Sequence, residues 1–220
     1  VIGFVVIPLL YARLLKWEIK RLVFWIFLFL PLLLLYSSVF FFLFLEADVA
    51  KYIIGVLITI CTWLYCESIF TFYHIPSNYQ AYTLEYLSLT FSMLSAFFLS
   101  SAMYARGIFL QQLIWVPALV FGLFSFISSM IVLWVSKVSF LTGIRYSLVC
   151  AICMAESYIV FSMLPTSFLS NAAGFTVILY AFLGIFRAKA LDKLSKKVLS
   201  RYLLVSSVLI TLIFLTARWI

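Results

Sequence analysis

Residues 21–46 read RLVFWIFLFLPLLLLYSSVFFFLFLE, and no charged side chain falls between Arg21 and Glu46. About 20 apolar residues carry an α-helix across the hydrocarbon core of a bilayer. A backbone in lipid must also satisfy its own polar groups, which a helix does within one segment. The stretch therefore predicts a membrane-spanning helix, and the rest of the chain repeats the theme. Of 220 residues, 67% are hydrophobic, 20% aromatic and 10% charged, with 24 Phe. Soluble domains are about half apolar and about a quarter charged. Disorder needs low hydrophobicity and high charge. Both classes are excluded.

Apolar runs at 22–45, 52–73, 81–104, 108–135, 146–164, 170–187 and 202–218 predict seven spanning helices. The expected fold is all-α, a polytopic transmembrane bundle with short connections. Residues 22–220 read as one domain, preceded by a stub and basic segment at 1–21. No Gly/Ser linker or internal repeat divides it. Seven helices do not split into two inverted halves, which disfavours inverted-repeat transporters. Residues 1–11 (VIGFVVIPLLY) are too short to span and too apolar for a loop. They fit the end of an upstream helix or a membrane-skimming segment. A cleaved signal peptide does not fit, because charge follows the apolar core here and should precede it.

Net charge is +8. The cations fall between apolar runs, so membrane orientation explains them better than nucleic-acid binding, for which no extramembrane platform exists. Arg13, Lys16, Lys20, Arg21, Lys137, Arg145, Arg187, Lys189, Lys193, Lys196, Lys197 and Arg201 fall on one side. Lys51, Arg106 and Arg218 fall on the other. The bias puts the segment before the first full helix in the cytoplasm and the C-terminus outside. The connection from His74 to Gln80 must then be cytoplasmic without any Lys or Arg.

Residues 188–201 (AKALDKLSKKVLSR) place Leu191, Leu194, Val198 and Leu199 at helical spacing among lysines. They predict an amphipathic helix on the cytoplasmic leaflet. Lys189, Lys193, Lys196, Lys197 and Arg201 would touch anionic headgroups; the alternative is a plain basic loop. Within the bilayer, helices associate through small residues and hydrogen bonds. Glu85, Ser88, Ser92 and Ser95 share one helical face, as do Gly174, Ala181 and Gly184, and both faces should turn inward. Pro31 and Pro117 interrupt their helices and are expected to kink them.

Ionisable groups in a membrane are costly and mark function by default. Glu67, Glu85 and His74 flank one short connection. They form a candidate polar cluster at the cytoplasmic face, either a hydrogen-bonded clasp or an ion or substrate site. Glu156 sits about ten residues into its helix, roughly 15 Å deep. It is expected neutral, facing neighbouring helices, and either a clasp or a proton or substrate site. Cys61, Cys66, Cys150 and Cys153 read as small core residues, because the C-x-x-C pair falls toward the reducing side.

No metal or cofactor is expected. There is no G-x-S-x-G, no H-E-x-x-H, no glycine-rich phosphate loop, and one His. The last helix has no lysine for a retinal Schiff base. RLVFWIFLFLPLLLLYSSVFFFLFLE (21–46), LPTSFLSN (164–171), KKVLSRYL (196–203) and LTARW (215–219) resemble an uncharacterised family of small multi-pass proteins of candidate-phyla-radiation bacteria. The resemblance runs from about Lys16 to the end. It implies a bacterial cytoplasmic membrane and brings no catalytic residues. The expected function is a non-enzymatic envelope accessory or scaffold protein. A small transporter or channel using the intramembrane carboxylates is the alternative. A membrane enzyme acting on a lipid or lipid-linked substrate comes third.

Overall fold

The computed structural model describes residues 2–15, 22–75, 83–110, 113–217 and 219. Those residues form eight helices: α1 (Ile2–Leu14), α2 (Leu22–Phe42), α3 (Asp48–His74), α4 (Thr83–Leu110), α5 (Trp115–Val135), α6 (Phe140–Ser162), α7 (Phe168–Ala190) and α8 (Lys196–Thr216). The fold is all-α, and α2 to α8 are long and apolar enough to cross a bilayer. The chain divides into two compact units, Val1–Ser95 and Ala96–Ile220. The boundary falls inside α4, between Ser95 and Ala96.

In the first unit, α1 packs against α2 and α3. Tyr11 is fully buried and its hydroxyl donates to the Thr62 carbonyl of α3 at 3.0 Å. Tyr65 of α3 lies between Tyr11, at 5.9 Å between ring centroids, and Phe91 of α4, at 4.8 Å. Pro31 is buried inside α2. A proline has no N–H, so it removes the helical donor to the carbonyl four residues earlier, that of Phe27. The Tyr65 hydroxyl donates to that carbonyl at 3.4 Å. Neighbouring side chains are the usual way a membrane helix tolerates a proline. Glu85, Ser88, Ser92 and Ser95 of α4 are all buried, as their spacing predicts.

In the second unit, α5 packs along α6, α6 on α7, and α7 on α8. Small residues let α5 and α6 approach. A Cβ on Gly122 would lie 3.6 Å from both the Ala151 carbonyl and Ala155, and one on Gly143 would lie 3.2 Å from Met130 sulfur. Ser125, Ser128 and Ser129 are buried along α5. Tyr158 fills the centre, stacked on Tyr104 at 4.5 Å and on Phe121 at 4.7 Å, with Phe175 edge-on. Gly174 and Gly184 are buried as expected. Gly174 lies beneath the Phe161 ring of α6 and Gly184 beneath the Tyr202 ring of α8; Ala181 is half-buried. Pro117 falls in the first turn of α5, because that helix begins at Trp115 and not near 108. A proline there removes no helical hydrogen bond, so Pro117 gives α5 no cause to kink.

Two helix ends share one device. Lys137 follows α5 with φ 64° and Asp192 follows α7 with φ 53°. The Lys137 N–H donates to the Trp134 carbonyl and the Val138 N–H to Leu133. Likewise the Asp192 N–H donates to Lys189 and the Lys193 N–H to Ala188. Both are Schellman motifs with a side chain where glycine is usual. Ser195 then caps α8, accepting from the Val198 N–H at 3.2 Å. The expected interfacial helix over 188–201 is therefore not formed as one element. Its residues are the end of α7, a tight turn and the start of α8. The left-handed Asp192 stops one helix and Ser195 starts the next.

Candidate functional site

The three residues expected as one cytoplasmic cluster differ in burial. Glu67 and His74 are exposed on α3, and the His74 ring stacks on Phe70, one turn back, at 4.7 Å. Glu85 is buried in the first turn of α4. A carboxylate there is favoured by the helix N-terminal partial charge. Among the described residues, no three His, Cys, Asp or Glu side chains group as metal ligands. The four cysteines are free thiols, with Cys150 buried in α6.

Glu156 departs from expectation in two ways. Its helix begins at Phe140, six residues before the expected start, and ends at Ser162. Glu156 is therefore about 9 Å from the far end of α6 and not at the midpoint. It is also exposed. The inward face of α6 is taken by Gly143, Ser147, Cys150, Met154, Tyr158 and Phe161. Residue 156 lies about 200° around the helix from Tyr158, so packing Tyr158 at the centre turns Glu156 out. It stands on an exposed stripe between Ile152 and Val160, which are 54% and 60% exposed.

Inward-facing polar groups are short. The Ser88 hydroxyl donates to the Glu85 carbonyl at 2.9 Å, and Ser100 donates to Ala96 at 2.6 Å. Such bonds to the preceding turn neutralise a hydroxyl without a partner from another helix. Ser92 and Ser95 Oγ are buried without a hydrogen-bond partner among the described residues.

The ends of the second unit differ. Lys189, Lys193, Lys196, Lys197 and Arg201 are exposed around the α7–α8 turn. The cations expected at the headgroups are carried by the last turn of α7, the tight turn after it and the first turns of α8. Lys137 and Arg145 are exposed at the same end of the antiparallel helices. At the opposite end, buried Thr166 donates to the side-chain carbonyl of buried Asn171 and pairs with Trp219 in an isolated antiparallel bridge. Ser167 caps α7, accepting from Ser170 N–H at 3.2 Å. This polar cap escaped the sequence reading, because its only signals were a Ser at an N-cap position and an Asn one turn on. No family model, curated protein or solved structure matches the chain.

Proposed function

We propose that this chain is a non-enzymatic scaffold or accessory protein of the bacterial cytoplasmic membrane. The observation that carries the reading is the placement of the span acids. Glu67 and Glu156 turn outward and Glu85 is buried only in the first turn of α4, while the inward faces carry Tyr and Phe rings and serines, several of them bonded to their own helices. A proton or substrate path through the bundle needs ionisable groups facing inward. Outward groups suit association with other components of the membrane. The basic end faces the cytoplasm and its anionic lipids, and the Thr166–Trp219 cap lies outside. Two of the stretches that carry the family resemblance, 164–171 and 215–219, meet in that cap, in keeping with a structural role for them.

Reconstitution into liposomes tests this reading. With a pH dye inside and an imposed gradient, the protein should leave proton and cation flux at the level of empty vesicles. A flux abolished by Glu156→Gln or Glu67→Gln would overturn the scaffold in favour of a carboxylate-based transporter.

A further inference from the structure

We propose that the groove between α7 and α8 holds an acyl chain of one anionic phospholipid, whose phosphate is met by Lys189, Lys193 and Lys196. The site is independent of the scaffold reading. Ile178, Phe182 and Ile185 of α7 and Leu203, Ile210 and Ser206 of α8 line the groove, which has a volume of about 480 Å³. Small-molecule sites run from about 300 to 1,000 Å³ and combine a mostly apolar lining with a few placed polar groups. Here one polar group is left over. Ser206 is 6% exposed, and its Oγ has no hydrogen-bond partner among the described residues. Ser207 and Thr211, also on the lining, donate to the Leu203 and Ser207 carbonyls of their own helix at 2.8 Å.

The charges along the groove select its occupant. Helical steps from Ile185 and from Leu203 continue the two walls to Lys189 and Lys196, both exposed. The tight turn adds exposed Lys193, whose N–H donates to the Ala188 carbonyl. Asp192 is the one acid among five cations between residues 188 and 201. Toward the other end, no Lys, Arg, Asp or Glu occurs in 166–178 or in 207–217. A cationic mouth thus leads into an apolar trough. A free anion would leave the apolar walls bare, and the apolar face of a partner helix would leave the cations unmatched. An anionic phospholipid matches both. The two helices run antiparallel, and each Cα–Cβ bond tilts toward its own helix N-terminus. Lys189 therefore leans down the groove and Ser206 leans up it. Gly184 lies beneath Tyr202, which sets Ser206 about 14 Å along the axis from Lys189. The interfacial layer of a lipid spans about 5–8 Å of that gap, and the lean of both side chains shortens the rest. The ester carbonyl at the base of that layer is the acceptor that the Ser206 hydroxyl lacks.

The test uses the full chain in bilayers of phosphatidylcholine with a minor fraction of phosphatidylglycerol, extracted in mild detergent and weighed by native mass spectrometry. One phosphatidylglycerol per chain should be retained in preference to phosphatidylcholine. Lys189→Gln with Lys196→Gln should weaken retention about thirtyfold, the worth of two lysines at an anionic surface. Lys137→Gln with Arg145→Gln removes as much charge from the same end, away from the groove, and should leave retention unchanged. Ser207→Phe and Thr211→Phe each fill the groove from an exposed position, keep every lysine, and should abolish retention. Melting temperatures in pure phosphatidylcholine should match the parent chain, which separates loss of the site from loss of fold. Excess inorganic phosphate should not displace the lipid. Equal loss in the Lys137 and Arg145 variant would reduce the effect to a general attraction at the basic end and overturn the proposal. Unchanged retention in both filled variants, displacement by phosphate, or a lipid-free dimer would overturn it as well.

Discussion

Removing the Tyr65 hydroxyl should cost stability only while Pro31 is present. Pro31 leaves the Phe27 carbonyl without its helical donor, and Tyr65 supplies a replacement at 3.4 Å from α3. Tyr65→Phe keeps the ring between Tyr11 and Phe91 and deletes that one bond. Intramembrane hydrogen bonds average about 0.6 kcal/mol and reach about 1.7 kcal/mol. The long distance argues for the low end. The burial of both partners argues upward, because a buried hydrogen bond is not exchanged for one to water. The expected cost is about 1 kcal/mol, or about fivefold in the unfolding equilibrium. Pro31→Ala restores an N–H within α2, so the carbonyl regains its own helix. In that background Tyr65→Phe should cost almost nothing. The assay is a double-mutant cycle on reversible unfolding in bicelles, read by steric trapping or denaturant titration. An equal cost of Tyr65→Phe in both backgrounds would refute the reasoning and assign the effect to ring packing.

Gly174→Ala should destabilise the protein by about 1–3 kcal/mol, as overpacking does. Its Cβ would fall 2.6 Å from the buried Phe161 ring. Gly55→Ala, with open space around it, should be neutral or stabilising through helix propensity, and thermal unfolding of the pair separates the cases. Lys137→Gly should stabilise by about 1 kcal/mol, because the left-handed conformation penalises a Cβ; a lower melting temperature would contradict the Schellman assignment. Thr166→Val keeps the shape but leaves the Asn171 side chain without its donor. It should cost about 1–3 kcal/mol and speed hydrogen exchange at the Thr166–Trp219 bridge.

The seven spans and the α4 seam were legible because each is a local pattern. An apolar run announces a span by its length. Polar residues at three- and four-residue steps announce a face when everything around them is apolar. Glu156 shows the limit. Both sides of α6 are apolar, so hydrophobicity cannot say which side turns inward. That choice is made by Gly143 against Met130 and by the rings around Tyr158, contacts with other helices that the local pattern does not contain. The 188–201 segment failed differently. Its leucines keep helical period, but the period is blind to the backbone at Asp192 and to the cap at Ser195. The Pro31–Tyr65 pairing spans 38 residues, and nothing in either neighbourhood points to the other. The kink expected at Pro117 rested on a helix start placed too early.

The bareness of α8 bears on how the protein is assembled. Only 6% of its apolar window is buried, and Ser206 is its one buried residue. It packs along α7, with the Tyr202 ring over Gly184 and against Tyr180, and its Phe214 ring lies on Phe161 of α6. The rest of its surface is exposed or half-buried, so its place beside α7 depends on that one seam and on the turn that tethers it. Such a helix is inserted by its own hydrophobicity before it docks. A solubilising micelle that replaces the bilayer should release it first. Limited proteolysis during a detergent series would then cut at Lys193, Lys196 or Lys197 while α5 to α7 still hold together.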